Sequence, residues 1–130
     1  MTLKSFYKEV KALNGIQDMD QREIQAKAFF KKLNSAELPK TFNWAQEIFE
    51  DIHVKERPDQ LALIWADLHT DEEEKYTYTQ LAENGNKMLN YLRKKGVEKG
   101  DNLYMLTPIV PQTWFASFAA IKGGIVAVPT

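Results

Sequence analysis

Hydrophobic positions in the last third of the chain follow the order of a parallel strand–helix–strand unit. Apolar runs at 103–106 and 125–128 predict two strands, and the stretch from about Gln112 to Lys122, apolar nearly all round, predicts a buried helix between them. The glycine pair 123–124 separates this helix from the second strand. A parallel pair needs cover on both faces and neighbouring strands at its edges. We therefore expect an α/β chain that is truncated within a larger layered domain.

Two amphipathic helices are predicted before Pro39. The first has apolar residues at helical spacing, namely Leu3, Phe6, Tyr7, Val10 and Leu13, and ends at Asn14-Gly15. The second opens at Asp20, which has the capping-box spacing to Glu23, and its apolar side consists of Ile24, Ala28, Phe29 and Leu33. Docking of both apolar stripes on the rest of the same protein is the favoured interpretation. Binding to a membrane surface or to a partner helix is the alternative.

The chain is expected to divide at this proline. Residues 1–38 form a predicted amino-terminal helical extension, and residues 39–130 form the start of a larger domain. A third helix is predicted from Asn43, a good N-cap with Gln46 three residues later, to a point before Arg57-Pro58-Asp59.

A β-hairpin is predicted next, followed by a long helix. Its strands are 61–65 and 76–78, and the acidic run 71–74 between them reads as a solvated turn. Thr77 and Gln80 have capping-box spacing and predict the start of the helix. The inward face of this helix is predicted at Leu81, Met88, Leu89 and Leu92, and its end at Lys94, Lys95 and Gly96.

Composition narrows the classes of function. The 17 Lys+Arg nearly cancel the 18 Asp+Glu, so no nucleic-acid partner is expected. The absence of cysteine excludes disulfides, thiolate metal sites and cysteine nucleophiles. The amino terminus has no uninterrupted apolar core of the signal-peptide kind, and no run reaches transmembrane length. We expect a cytoplasmic protein without membrane insertion.

The polar residues do not predict a catalytic or metal site. The glycine pair 123–124 precedes a strand, whereas a phosphate cradle needs glycines between a strand and a helix N-terminus. Neither His53 nor His69 has a second imidazole at metal-ligand spacing. Asp67 and His69 have a spacing compatible with a shared metal or proton, but two solvent-facing residues at a strand end are the favoured interpretation. The acidic run lacks the interspersed ligands and glycine of a calcium loop.

Trp114 is the candidate substrate-pocket residue. It crowds one short helix with Phe115 and Phe118, and an aromatic near the N-terminal end of such a helix can line a ligand pocket beside the strand ends. Core filling by all three aromatics is the favoured interpretation. Pro108 and Pro111 frame the turn into the helix, and Pro111 suits its first position, where a missing N–H costs nothing.

Four segments in register carry a family resemblance. They are TFNWAQEIFE (41–50), RPDQLALIW (57–65), YTYTQLAENGNKMLNYLRKKGVEKGD (76–101) and LTPIVPQTWFASFAAIKGGIVAVP (106–129). In this order they resemble the amino-terminal part of acyl-adenylate-forming enzymes, in particular AMP-forming acyl-CoA synthetases of the medium-chain type. The sequence departs from that pattern at Gly124, where Ala is frequent, and lacks the Gly often found after the final Pro. Both departures concern the subfamily.

The resemblance implies a two-step reaction. A carboxylate attacks the α-phosphate of ATP to give an acyl-adenylate and pyrophosphate, and the thiol of coenzyme A then displaces AMP. Magnesium and cationic groups serve the phosphates. The family's phosphate loop, its adenine and ribose contacts and its mobile-domain lysine all match positions beyond Thr130. No catalytic, cofactor-binding or metal-ligating residue is therefore assigned here, and we expect the 130-residue chain alone to be inactive and to bind no cofactor.

Two other functions are compatible with the sequence. The chain would also suit a short stand-alone protein that regulates a full-length synthetase, or a small-molecule-binding module that uses the pocket near Trp114. In each case the exposed end strand 125–128 is expected to pair with another chain, because an uncovered strand edge is a template for association.

Overall fold

The computed structural model describes residues 3–37 and 39–130, with side chains from Ser5 onward. The chain divides into two compact units between Phe42 and Asn43. Unit 1 contains α1 (Leu3–Asn14) and α2 (Met19–Asn34). The elements of unit 2 are α3 (Ala45–Val54), β1 (Leu61–Ala66), β2 (Glu73–Thr77), α4 (Tyr78–Lys94), β3 (Asn102–Met105), α5 (Pro111–Gly123) and β4 (Val126–Pro129).

Unit 1 is a pair of helices held by aromatic packing and one ion pair. The rings of Phe6 and Phe29 lie 5.5 Å apart, and Phe29 is 7% exposed. Lys32 Nζ lies 2.6 Å from Glu9 Oε1 across the two helices. Both predicted helices are confirmed. Ile24, predicted on the apolar side, is exposed, so the buried stripe of α2 is narrower than expected.

The start of α2 differs from the prediction. Asp18 is the N-cap: its backbone is extended (φ −72°, ψ 116°) and its carboxylate accepts from the Gln21 N–H at 2.9 Å. Asp20, the predicted cap, lies inside the first turn. A cap must be non-helical to turn its side chain back on the free N–H groups, so only Asp18 fits this role.

Asn43 caps α3 as predicted, but with a different reciprocal partner. Its side-chain oxygen accepts from the Gln46 N–H at 3.2 Å, whereas Glu47, not Gln46, accepts from the Asn43 N–H at 2.9 Å. α3 is wound as a π-helix. It buries Ala45, Ile48, Phe49 and Ile52.

The hairpin is confirmed with a shifted second strand. β1 and β2 are antiparallel, with Trp65 opposite Glu74. β2 begins at Glu73, so the acidic run 71–74 is divided between turn and strand, and only Asp71 (φ +57°) and Glu72 stay outside β2. Tyr78 was predicted in this strand and is the first residue of α4. The reason is the Thr77 cap, which turns the chain out of the sheet one residue earlier.

α4 follows its prediction at both ends. Thr77 Oγ1 accepts from the Gln80 N–H at 3.2 Å, and Gln80 Oε1 accepts from the Thr77 N–H at 2.9 Å, which completes the capping box. At the other end Lys95 is the C-cap, and Gly96 adopts a φ of +86°, which favours glycine.

The parallel unit is also confirmed. β3 and β4 pair in parallel with Asn102 opposite Val126 and Tyr104 opposite Val128, and α5 connects them. Pro111 is the first residue of α5. Gly124 ends the helix in the left-handed conformation, at φ +67°. The architecture is that of an α/β chain with two separate two-stranded sheets.

The core of unit 2 lies between α4, α5 and the elements beside them. One cluster of buried residues consists of Leu89, Leu92, Ala119, Ala120 and Ile125, and a second consists of Ala45, Phe49, Ala82 and Phe118. Gly85 permits the close approach of α4 to α5, because a Cβ there would lie 2.3 Å from Phe118 Cδ1. Among the described residues, no helix has both the length and the apolar character to cross a membrane.

Candidate functional site

The carboxyl ends of the parallel strands define the candidate site. β3 leads into the loop 106–110, which enters the first turn of α5, and the Thr130 N–H following β4 approaches the Met105 carbonyl oxygen at 3.3 Å. Ligands of open α/β sheets bind outside the carboxyl ends of the strands. We call residues 106–114 the carboxyl edge.

Two threonines order the carboxyl edge from within. Thr113 Oγ1 donates to the Pro108 carbonyl at 2.9 Å and lies 2.9 Å from Thr107 Oγ1. Because the single hydroxyl proton of Thr113 is engaged with Pro108, Thr107 is the donor in the second bond. The Thr113 N–H also bonds the Val110 carbonyl, at 3.0 Å. The oxygen of Thr107 therefore keeps its acceptor capacity at the surface.

Trp114 lies in the first turn of α5 and is 52% exposed. Phe115 and Phe118 are 8% and 4% exposed, so core filling is right for the two phenylalanines and wrong for the tryptophan. The physical reason is helical spacing: residues 115 and 118 share the face of α5 that packs on the core, and position 114 is rotated away from it. The Trp114 indole N–H has no partner among the side chains and backbone that the structure describes.

Two contacts from the hairpin hold the carboxyl edge, and the sequence pattern predicted neither of them. The Trp65 indole N–H donates to the Ile109 carbonyl at 2.7 Å, and the Tyr76 ring meets Phe115 edge-on with centroids 5.2 Å apart. The Tyr76 hydroxyl is hydrogen-bonded to the Glu74 carboxylate. This bond, with burial and the Glu74 charge, raises the pKa of Tyr76 above its usual value. The aromatic residues Trp65 and Tyr76 were the signal available in the sequence. Their partners Ile109 and Phe115 lie more than thirty positions away, so the pairing could not be predicted.

His53 contacts Arg57 and the Tyr78 ring, and His69 lies in a local turn with Asp67. The Arg57 Nη2 group lies 2.7 Å from His53 Nδ1, and an arginine only donates, so Nδ1 is the acceptor. Asp67 accepts from the His69 backbone N–H at 2.8 Å, which makes a local turn in which the His69 ring takes no part.

Residues 3–37 and 39–130 contain no clustered metal ligands, and the glycine pair 123–124 lies at a helix end that does not suit a phosphate cradle. No three His, Asp or Glu side chains within those ranges converge as metal ligands. Gly124 ends α5, and a helix C-terminus carries a partial negative charge that disfavours phosphate. Next to this end of α5, a cleft of about 350 Å³ has Arg93 and Lys99 among its lining residues. The partial negative charge at helix C-termini is sufficient to explain why these two cations lie there.

Comparisons with known proteins agree on one family. A family model described as AMP-binding enzyme matches residues 51–130. The chain is 49% identical over 89 residues to 4-hydroxybutyrate–CoA ligase 1 of Metallosphaera sedula, an alignment that covers 68% of this chain and 16% of the relative. It is 40% identical over 76 residues to acetyl-coenzyme A synthetase of Xanthobacter autotrophicus, covering 58% of this chain and 12% of that protein.

Solved structures give the same result for the fold. The amino-terminal subdomain of NpsA from Klebsiella oxytoca superposes with a TM-score of 0.56 at 30% identity, over 65% of this chain and 20% of that one. A fatty acyl CoA synthetase from Mycobacterium tuberculosis gives a TM-score of 0.56 at 26% identity, over 68% and 16%. The chain thus spans less than a quarter of each relative. It has the α/β fold found at the amino-terminal end of adenylate-forming enzymes and belongs to the AMP-binding enzyme family.

Proposed function

We propose that the complete protein is an ATP-dependent, AMP-forming acyl-CoA synthetase. In the first step a carboxylate oxygen attacks the α-phosphorus of ATP, which forms an acyl-adenylate and releases pyrophosphate. In the second step the thiol of coenzyme A attacks the acyl carbon, and AMP leaves. The observation that supports this reaction is the 49% identity to 4-hydroxybutyrate–CoA ligase 1. The second relative named above is an acetyl-coenzyme A synthetase, a name that likewise specifies an acyl–coenzyme A product.

The role proposed for this chain is scaffold. Residues 39–130 form the start of the AMP-binding domain and residues 1–38 its helical extension. Residues that hold ATP, coenzyme A and Mg²⁺ are not assigned to this chain, because the family motifs that carry them match positions beyond Thr130. We propose a cytoplasmic location, which the absence of cysteine fits, and no nucleic-acid partner, on the near balance of charge.

Trp114 is the proposed contact between this chain and the carboxylate substrate. Three features support that assignment. Trp114 is exposed, its indole N–H is unpaired among the described groups, and it lies in the first turn of α5, which follows the loop after the parallel strand β3. An indole offers an apolar face and one donor, which suits the chain and the head group of a small organic acid.

Carboxylate-dependent exchange of labelled pyrophosphate into ATP tests the reaction. The complete protein is assayed with acetate, 4-hydroxybutyrate and a medium-chain fatty acid, in parallel with the 130-residue chain. We expect exchange with the complete protein and none with the chain. Absence of exchange with every acid would overturn the proposed reaction, and exchange by the chain alone would overturn its inactivity.

Calorimetry on the 130-residue chain tests the alternative of a stand-alone binding module. Titration with AMP, acyl-CoA and carboxylates at millimolar concentration is expected to show no binding. Saturable binding that is lost in Trp114→Ala would instead support a small-molecule site near Trp114 that works without the rest of the enzyme.

A further inference from the structure

We infer that Trp65 is a positioning residue: from β1 it holds the loop 106–110 in place and thereby sets the position of Trp114. The inference rests on the proposed function only in that Trp114 is taken to line the substrate pocket. The restraint itself is a property of this chain.

The loop has exposed apolar side chains, and the hydrogen bonds of Thr107 and Pro108 tie it to Thr113 of α5 but not to the hairpin. Leu106 and Ile109 are 85% and 82% exposed, so burial contributes little to holding this segment. The two-stranded sheets β1–β2 and β3–β4 share no strand pairing, so no ladder of backbone hydrogen bonds joins the hairpin to the loop.

The indole N–H of Trp65 supplies the hydrogen bond that links the loop to the hairpin. It donates to the Ile109 carbonyl at 2.7 Å, a distance near the short end of the normal range for such bonds. Its place in β1 is fixed by pairing with β2, where Glu74 lies opposite. The donor is therefore carried by a strand, and the acceptor by an exposed loop.

The restrained residue, Ile109, lies five positions before Trp114 along the chain. Ile109 lies two residues before Pro111, the first residue of α5, and Trp114 is three residues further. On the same side of the hairpin, the contact of Tyr76 with Phe115 holds the first turn of α5. The hairpin thus contacts both the loop and the start of α5. Trp65 bonds to the loop, which is the less buried of the two.

Hydrogen exchange on the unliganded chain tests the inference directly. Trp65→Phe keeps an aromatic ring, removes the indole donor and makes the ring smaller, and the control variant below makes the same change in ring size. The Thr113 amide, bonded to Val110 at the end of the loop, is the reporter, and the Leu89 amide in the core of α4 reports global opening. We expect exchange at Thr113 to become about tenfold faster and exchange at Leu89 to change less than about twofold.

Trp44→Phe is the matched control. It makes the same change in the same unit at a partly exposed ring that packs at a tilt against Phe49, 5.5 Å between centroids, and has no bond to the loop. Exchange at Thr113 is expected to stay at its original rate in this variant. Unchanged exchange in Trp65→Phe, or an equal increase at Thr113 and Leu89, would overturn the positioning role.

The unaltered 130-residue chain provides a second test that does not depend on a variant's folding. Its three tryptophans give three indole N–H signals in nitrogen-edited NMR spectra. The Trp65 signal is expected to exchange at least about tenfold more slowly than that of Trp114. Equal rates would overturn the inference. Because no ligand is present, failure here is distinguishable from failure of the substrate pocket, which is read from a shift of the Trp114 signal on adding carboxylate to the complete protein.

Discussion

Lys122 of α5 donates from Nζ to both carboxylate oxygens of Glu50 in α3, at 2.6 and 2.7 Å. Asn86 of α4 joins them, since it accepts from Lys122 at 2.7 Å and donates to Glu50 at 2.8 Å. The charged side chains of the pair are only 21% and 23% exposed. One polar cluster therefore links the three helices of unit 2, with its donors and acceptors matched.

Removing the cation from this cluster is expected to destabilise unit 2. Lys122→Met keeps the length of the side chain and leaves a partly buried carboxylate without its counter-ion, at a cost of about 1–3 kcal/mol in the free energy of unfolding. Lys75→Met is the control, because the Lys75–Glu73 pair is about half exposed and worth under about 1 kcal/mol. Urea unfolding followed by circular dichroism measures both. Equal losses in the two variants would contradict the structural role of the cluster.

Gly85→Ala is expected to destabilise the protein although alanine is the better helix former. The added methyl would lie 2.3 Å from Phe118 Cδ1, and overpacking of this kind costs about 1–3 kcal/mol against a helix-propensity gain of about 1. A double-mutant cycle with Phe118→Leu checks the cause. If the clash is responsible, the loss in the double variant is smaller than the sum of the single losses. Additive losses would point away from this contact.

The Thr77 cap is expected to contribute about 1 kcal/mol to stability. Thr77→Ala removes the hydroxyl that accepts from Gln80, whereas Thr77→Ser retains it. Thermal unfolding should therefore show a lower midpoint for the alanine variant and a midpoint near the original for the serine variant. Similar midpoints for Ala and Ser would show that the cap hydroxyl is unimportant.

The raised pKa of Tyr76 predicts a loss of stability in alkali. The native state favours the neutral phenol, because its hydrogen bond to Glu74 and its burial disfavour the phenolate. This contribution is complete below the unfolded pKa of about 10 and is lost as pH rises through the higher native pKa. Urea midpoints from about pH 8 to pH 11 should fall less steeply in Tyr76→Phe than in the parent. Tyr104→Phe, which alters an exposed ring, should follow the parent curve.

The strand β4 is expected to mediate self-association of the 130-residue chain. Val126 is 49% exposed on a strand with one unpaired edge in the two-stranded sheet β3–β4. Sedimentation velocity should show a weight-average mass that rises with protein concentration, and Val126→Lys should suppress the rise. Ile121→Lys makes the same change at a similarly exposed site on α5 and should leave it. A monomer at all concentrations would contradict this expectation.

Local sequence determined the order and kind of the elements of unit 2. Short-range chemistry is sufficient for this, since the Thr77–Gln80 capping box, the proline at the start of α5 and the left-handed Gly124 each act within a few residues. The boundary errors had two causes: Asp18 and Asp20 both carry capping side chains, and Tyr78 has a ring that favours strands although it directly follows the Thr77 cap. The geometry of the backbone decides between such residues.

The tertiary structure alone decided which side chains are exposed at the carboxyl edge and what holds them. An all-round apolar helix does not show from its sequence which face is covered, so the exposure of Trp114 followed only from the packing of Phe115 and Phe118. The bonds from Trp65 to Ile109 and from Lys122 to Glu50 span 44 and 72 positions. No sequence period encodes such pairs. They exist because separate elements come together around a shared core.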